Sequence, residues 1–303
     1  MDYSTIVLFV LIVLIFILEY NKQDFIKLPF QELKGYSDLL SQQNDWNYSV
    51  GGIPKIIIKT GRFKRDEMPK VIMDIFKSII QDNPGYSLYY FDNDECDQFM
   101  KDYSESVFEC YKQLIPGAYK ADLFRVCLLE KYGGCYSDLG HVFLVPVDTI
   151  IEDYNMVLVK DRVLFNTNCN GIHNAFMCTT KSNGYFKRII ERICENVKNK
   201  FYGNGALDIT GPVLLGDIYI DYYKTGGDLC TIKLNKNVFN GVKIKMLYLE
   251  FSFINNYLLK TLFITDDGKE IIRTKFDNYT EINYKSDGIK AYNQLWIEKK
   301  VYL

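Results

Sequence analysis

Apolar positions in this chain change their spacing several times, and each change marks an element. From Ile6 to Leu18 they run unbroken. As helix at about 1.5 Å per residue this run spans roughly 20 Å, and roughly 26 Å with Ser4, Thr5, Glu19 and Tyr20 included. That is short for an average bilayer but fits a thin one, with Tyr20 and Lys22 at the interface. A cleaved signal peptide is the rival reading. Its leading segment would be Met1-Asp2-Tyr3, without Lys or Arg, and no small-x-small cleavage site follows Leu18. The expectation is an uncleaved transmembrane anchor over residues 1–22, touching the membrane through residues 4–20. Flanking charges nearly cancel and encode no orientation.

Residues 23–52 turn polar, are interrupted by Pro29 and carry Ser41-Gln-Gln-Asn-Asp45, which predicts a stem with one short helix. Residues 53–303 then read as one globular domain. Ile53-Pro-Lys-Ile-Ile-Ile58 predicts its first strand. Pro69 can start a helix through Gln81, with Val71, Ile72, Ile75, Phe76 and Ile79 as one apolar stripe. Asn83-Pro-Gly85 stops it, and Tyr86–Phe91 reads as the next strand. Strand, helix, strand is an α/β opening with a parallel sheet. A central helix is predicted from Gly117 or Ala118 to Tyr132, ended by Gly133-Gly134 because glycine takes left-handed backbone without side-chain cost. Cys135–Leu139 follows as a short strand with Tyr136 and Asp138 on one face. Tyr185–Val197 is amphipathic through Phe186, Ile189, Ile190 and Ile193, with Ser182 as its cap. Asp267-Gly268 predicts a hairpin turn between Thr261–Thr265 and Glu270–Lys275. No internal repeat is present.

Composition narrows the classes. The 303 residues are 48% hydrophobic and 15% aromatic, enough to fill one large core and to exclude extensive disorder. A formal net charge of −2, with no basic stripe, argues against a nucleic-acid partner. The eight cysteines have no C-x-x-C spacing, which removes zinc-ribbon and thioredoxin-like readings. They are expected as buried thiols, with one or two disulfides in a lumenal domain. Asn47-Tyr-Ser49 and Asn278-Tyr-Thr280 are glycosylation sequons of low specificity.

The chemistry concentrates in Lys120-Ala-Asp-Leu-Phe-Arg125 and Tyr132-Gly-Gly-Cys-Tyr-Ser-Asp-Leu-Gly140. Asp122 and Arg125 lie three apart on one helix face, where carboxylate and guanidinium orient each other and offer fixed partners to sugar hydroxyls. Taken alone, such a pair is most often an exposed ion pair of small energetic weight. Asp138 ends a strand, and ligands in open α/β sheets sit beyond the carboxyl ends of strands.

Together these stretches resemble A-D-x-x-R followed by Y-G-G-x-Y-x-D-x-D. That is the pattern of the glycosyltransferases containing initiating α-mannosyltransferases (glycosyltransferase family 32), and more distantly of the glucosylating domains of large clostridial toxins. Ile53-Pro-Lys-Ile-Ile-Ile-Lys-Thr60 is similar to the family's I-P-K-x-I-H-Q-T opening, with Ile58 and Lys59 in place of His-Gln. The resemblance covers residues 53–220 well and the final 80 loosely. It implies a GT-A-like single nucleotide-sugar-binding domain with a mixed central sheet, behind a single-pass anchor of Golgi or ER type with the catalytic domain lumenal. The implied activity moves a hexose from a UDP- or GDP-linked donor to a hydroxyl of a glycan or glycoprotein acceptor, with retention.

By the same resemblance Asp122, Arg125, Asp138 and Asn174 are the catalytic set. Asp122, Arg125, Tyr136, Asp138, Gly211 and Trp296 would contact the donor. Asp138 would be the metal ligand for a divalent cation, Mn2+ in the family. Asn174 comes from Gly171-Ile-His-Asn-Ala-Phe-Met177, where His173 is one residue off the active face. Gly211 comes from Asp208-Ile-Thr-Gly-Pro-Val-Leu-Leu215, in which Asp208 reads equally as a ligand contact or a helix-start residue. Trp296 is a candidate to close over the diphosphate, with Asn293 where relatives carry a histidine. The pattern breaks at Gly140, which stands for the second Asp of D-x-D. One carboxylate and the diphosphate could still hold an ion, or His141 could turn into the gap; otherwise the enzyme is metal-independent, or a silent nucleotide-sugar or glycan binder.

Overall fold

The computed structural model describes residues 33–42, 45–162, 170–224, 229, 236–239, 241–254, 257–284 and 291–303. Among them, helix α1 (Tyr36–Gln42) precedes strand β1 (Ile56–Thr60), helix α2 (Lys70–Asp82) and strand β2 (Ser87–Phe91). Helices α3 (Asn93–Tyr103) and α4 (Glu105–Gln113) lead to the central helix α5 (Gly117–Tyr132). Strands β3 (Gly134–Ser137) and β4 (Val142–Phe143), helix α6 (Val147–Ile151) and strands β5 (Met156–Lys160) and β6 (Phe176–Thr179) follow. Then come helices α7 (Gly184–Lys198) and α8 (Pro212–Tyr223), strands β7 (Lys236–Phe239), β8 (Val242–Ile254), β9 (Tyr257–Asp266) and β10 (Lys269–Arg273), and helices α9 (Tyr279–Tyr284) and α10 (Tyr292–Ile297).

The strands form one mixed sheet in the order β2-β1-β3-β6-β5-β8-β9-β10-β4, with β7 also pairing β8. The expected parallel opening is present, since β1 runs parallel to both β2 and β3. Antiparallel β6 then separates β3 from β5, and β8 returns parallel to β5.

Apolar cores lie on both faces. One contains Ile56, Ile58 and Tyr136 against Leu123, Phe124, Ile189 and Leu215 of the α5, α7 and α8 layer. The other contains Ile57, Cys135 and Val157 against Ile72, Phe76 and Ile150 of α2 and α6. Alternation along each strand feeds both cores, which is why these strands read as continuous apolar runs. The run Asp122 to Leu129 is buried all round, as a helix between a sheet and other helices must be.

Boundaries moved for local reasons. β1 starts at Ile56, not Ile53, because Pro54 has no N–H for a ladder; Ile53 is fully buried nonetheless. Asn183, in extended backbone, caps α7 by accepting from the Tyr185 N–H, while Ser182 sits at φ 58°. The turn at Asp267-Gly268 joins β9 and β10 as expected. Within the stretch read as stem, Leu33, Tyr36 and Leu39 are buried and the Lys34 backbone bridges to Tyr89, so from Leu33 this stretch packs onto the domain.

The membrane expectation is corrected. Among the described residues no helix is long and apolar enough to cross a membrane, so nothing in them supports the expected transmembrane helix, membrane partner or lumenal Golgi or ER placement. The span expected at residues 1–22 lies outside the described residues. The inference was weak physically, since an apolar run of about 20 Å falls short of the roughly 30 Å hydrocarbon core. The six described cysteines are free thiols, so no disulfide forms among them.

Candidate active site

Helix α5 and strand β3 are joined through Gly133 and Gly134, at φ 71° and 90°. A Cβ at Gly133 would meet the Lys181 nitrogen at 2.7 Å and the Thr179 oxygen at 2.8 Å. This tight reversal lays α5 back across β3, so that side chains of both elements converge beyond the strand's carboxyl end.

Asp122 and Arg125 are the buried half of the site. Asp122 Oδ1 accepts from Asn174 Nδ2 at 2.9 Å, and Oδ2 accepts from Thr210 Oγ1 at 2.8 Å. Arg125 Nη2 approaches Oδ1 at 3.4 Å. Arg125 Nη1 donates to the Asn174 carbonyl at 2.9 Å and lies 3.3 Å from Asp138 Oδ1, while Nε donates to the Ala121 carbonyl. Its guanidinium also sits 4.6 Å from the Tyr136 ring centroid. The fork is therefore held by the chain and spans two carboxylates. Burial pushes the Asp122 carboxyl up to about 6 against the opposing pull of Arg125 and Thr210, and Asp138 adds to the rise.

Asp138 is the open half, its side chain 38% exposed. Its N–H donates to the Ala175 carbonyl, which extends the β3–β6 pairing, and Oδ1 accepts from the Tyr136 hydroxyl at 2.9 Å. Tyr136 and Asp138 share the α5 side of the sheet, as alternation requires. Ser137 and Lys59 lie on the opposite side. Lys59 Nζ, fully buried, donates to Ser137 Oγ, to the Asp138 carbonyl at 2.8 Å and to the His141 carbonyl. Burial pushes this ammonium down to about 7, with Asp138 opposing. His141 Nδ1 faces Ser137 Oγ at 3.2 Å, and burial, then Lys59, hold its imidazole far below the usual range. His141 is thus committed beneath the turn, and the expectation that it could fill the gap at Gly140 is corrected.

The remaining candidates separate. Gly211 precedes Pro212 at the start of α8, one residue after Thr210. Asp208 accepts from the Asn204 and Gly205 N–H groups and so shapes its own loop. The Trp296 indole N–H donates to the Tyr202 carbonyl, and α10 packs against α5. Asn293 is exposed at the start of α10. His173 Nε2 is buried without a hydrogen-bond partner among the described residues. Two surface clefts, around Tyr103 and Ile190 and around Ile75 and Phe143, share no residue with the Asp122, Arg125 and Asp138 cluster.

Residues 69–157, which include α5, β3 and Asp138, match the family model described as a glycosyltransferase sugar-binding region containing a DXD motif. This stretch is similar to a glycosyltransferase sugar-binding region. The chain is 32% identical over 145 residues to the initiation-specific alpha-1,6-mannosyltransferase of Candida albicans, covering 44% of this chain and 38% of that protein. It is 23% identical over 171 residues to the mannosyl phosphorylinositol ceramide synthase CSH1 of Saccharomyces cerevisiae, covering 56% and 43%. The chain thus spans less than half the length of these curated relatives. Among solved structures, the PaToxG glycosyltransferase aligns with a TM-score of 0.46 at 14% identity, over 62% of this chain and 76% of that one. The α/β fold with its mixed sheet agrees with the GT-A-like expectation, and no transmembrane helix accompanies it among the described residues.

A DXD-type region suggests divalent-cation binding, and the donor set tests it. Asp138 offers Oδ2, because Oδ1 is taken by Tyr136 and Arg125. No group of three or more His, Cys, Asp or Glu residues among the described ones could hold a metal. At Gly140 a Cβ would lie 3.0 Å from the Thr274 carbonyl oxygen and 3.0 Å from the Tyr279 ring. A hard divalent ion takes six or more oxygens. These residues fit an ion shared with a diphosphate, not one held by the protein alone.

Lys59 and Thr210 are the partners that sequence reasoning missed. Lys59 was visible as one charge ending the run Ile56-Ile-Ile58, and Thr210 stood inside the T-G-P segment.

Proposed function

We propose that this chain transfers a hexose from a UDP- or GDP-linked donor to a hydroxyl of a glycan or glycoprotein acceptor, with retention. The observation that carries the reading is the Asp122–Arg125–Asp138 chain at the carboxyl end of β3, buried at Asp122 and Arg125 and open at Asp138, inside the matched sugar-binding region. Asp122 and Asn174 hold hydroxyls of the donor sugar. Arg125 presents fixed donors to the diphosphate, with no reorganisation needed as charge develops there. Tyr136 and Asp138 orient the ribose and diphosphate, Gly211 lets backbone approach the donor, and Trp296 covers it with its ring. In the transfer the anomeric C–O bond to the diphosphate breaks, the acceptor oxygen bonds the same face of the anomeric carbon, and its proton passes to the departing diphosphate. A divalent ion, manganese by resemblance, would be shared by Asp138 and the donor and would supply positive charge to the diphosphate.

Gly140 favours a second reading, donor binding without turnover, because it withholds the second carboxylate. Asp138→Ala discriminates. On the transferase reading it lowers nucleotide release by about 10²-fold or more with an unchanged circular dichroism spectrum. A parent protein that binds a donor yet releases no nucleotide supports the silent binder.

A further inference from the structure

Lys59 is a fully buried lysine with no carboxylate at ion-pair distance among the described residues. An ammonium has three donors, and all three are spent, on Ser137 Oγ and on the carbonyls of Asp138 and His141. None remains for a ligand, so any effect on one is exerted through the turn or through space. Burying a charge is unfavourable unless it is well partnered, and an apolar side chain of similar length would avoid that cost.

The two carbonyls it binds mark the ends of one reversal, closed by the His141 N–H donating to the Asp138 carbonyl at 3.1 Å. This reversal contains Gly140, where a second carboxylate is missing. The Asp138 carbonyl is therefore held from two sides, by Lys59 at 2.8 Å and by His141. On the opposite side of Asp138 stands Arg125, 3.3 Å from its carboxylate. Asp138 is thus flanked by two cations fixed by the protein, one on each side of the sheet.

We infer that Lys59 is a positioning residue for the donor diphosphate: its Nζ locks the Asp138–His141 turn and, when protonated, sets a positive charge beneath it, supplying part of the charge that a second metal-binding carboxylate would otherwise recruit. This rests on the donor site proposed above. In a low-dielectric interior such a charge is weakly screened and acts on a diphosphate more than on an uncharged nucleoside.

The test is calorimetric binding of UDP, GDP, uridine and guanosine to the full chain in chelator, for the parent, Lys59→Gln and Lys59→Met. Gln keeps a polar end that can still bond the turn, and Met keeps length and volume, so the second decides if the first fails to fold. The expected result is diphosphate affinity at least tenfold weaker in both variants, with nucleoside affinity changed less than twofold. Diphosphate affinity within twofold of the parent, or equal losses for diphosphate and nucleoside, overturns the role of Lys59. A folded parent that binds neither diphosphate overturns the donor-site reading instead, which keeps the two failures apart.

Discussion

At the scale of single residues, Asp122 shows how one carboxylate is set against the fold that holds it. Its folded value of about 6, against 3.8 ordinarily, means that the protonated form favours the folded state. That contribution is fully present below the ordinary value and is lost as pH rises through about 6. The proposed function runs the other way, because on that proposal Asp122 holds sugar hydroxyls as an acceptor, which requires the ionised form. Donor affinity should therefore show an acid limb near pH 6, and Thr210→Val should move the limb upward, since the Thr210 hydroxyl lowers the value. The same substitution should cost about 2 kcal/mol at neutral pH by leaving a buried carboxylate oxygen unpaired. A limb that stays in place on donor titration of Thr210→Val would contradict this account of Asp122. At Gly140 the sequence suggests that an aspartate would restore ion binding, but the Thr274 carbonyl and the Tyr279 ring already occupy the space. Gly140→Asp should lower the melting temperature and leave manganese affinity unimproved; a clear gain in affinity would show that the turn yields. Asp122, Arg125 and Asp138 were legible because motif spacing fixes them on one helix and one strand end. Lys59 was not, because the meaning of a charge in a strand depends on what lies across the sheet.

At the scale of elements, the reversal between α5 and β3 does most to build the site. The C-cap Gly133 adopts φ 71° and ψ −153°, a region essentially closed to residues with a side chain. Gly133→Ala should destabilise the protein by about 2 kcal/mol or more from backbone strain alone, with the contacts at Thr179 and Lys181 adding to it. Because the same reversal brings Arg125 to Asp138, donor binding should weaken at temperatures where the variant is still folded. Equal melting curves for parent and variant would contradict the description of this joint. The helices α2, α5 and α7 were readable from apolar spacing and their stops. The long β8–β9 hairpin and the placing of β6 between β3 and β5 were not, since strand neighbours are chosen by long-range pairing that no local period records.

At the scale of the whole molecule, two cores on either side of one mixed sheet account for the high apolar and aromatic content without any membrane segment among the described residues. The expected anchor was drawn from one short apolar run, and the domain's own residues do not bear it out. The sheet delivers β1 and β3 side by side and parallel, so their carboxyl ends open in one direction, and it is there that Arg125, Asp138 and Lys59 meet. The central claim is that this meeting point handles a nucleotide sugar. The most direct test incubates the full chain with UDP- and GDP-linked hexoses, with and without manganese, and measures release of the nucleoside diphosphate, with Arg125→Lys in parallel. The account predicts release from at least one donor and a loss of about 10²-fold in Arg125→Lys, because lysine cannot reproduce a planar fork between two carboxylates. Release that is undiminished in a folded Arg125→Lys protein would contradict it.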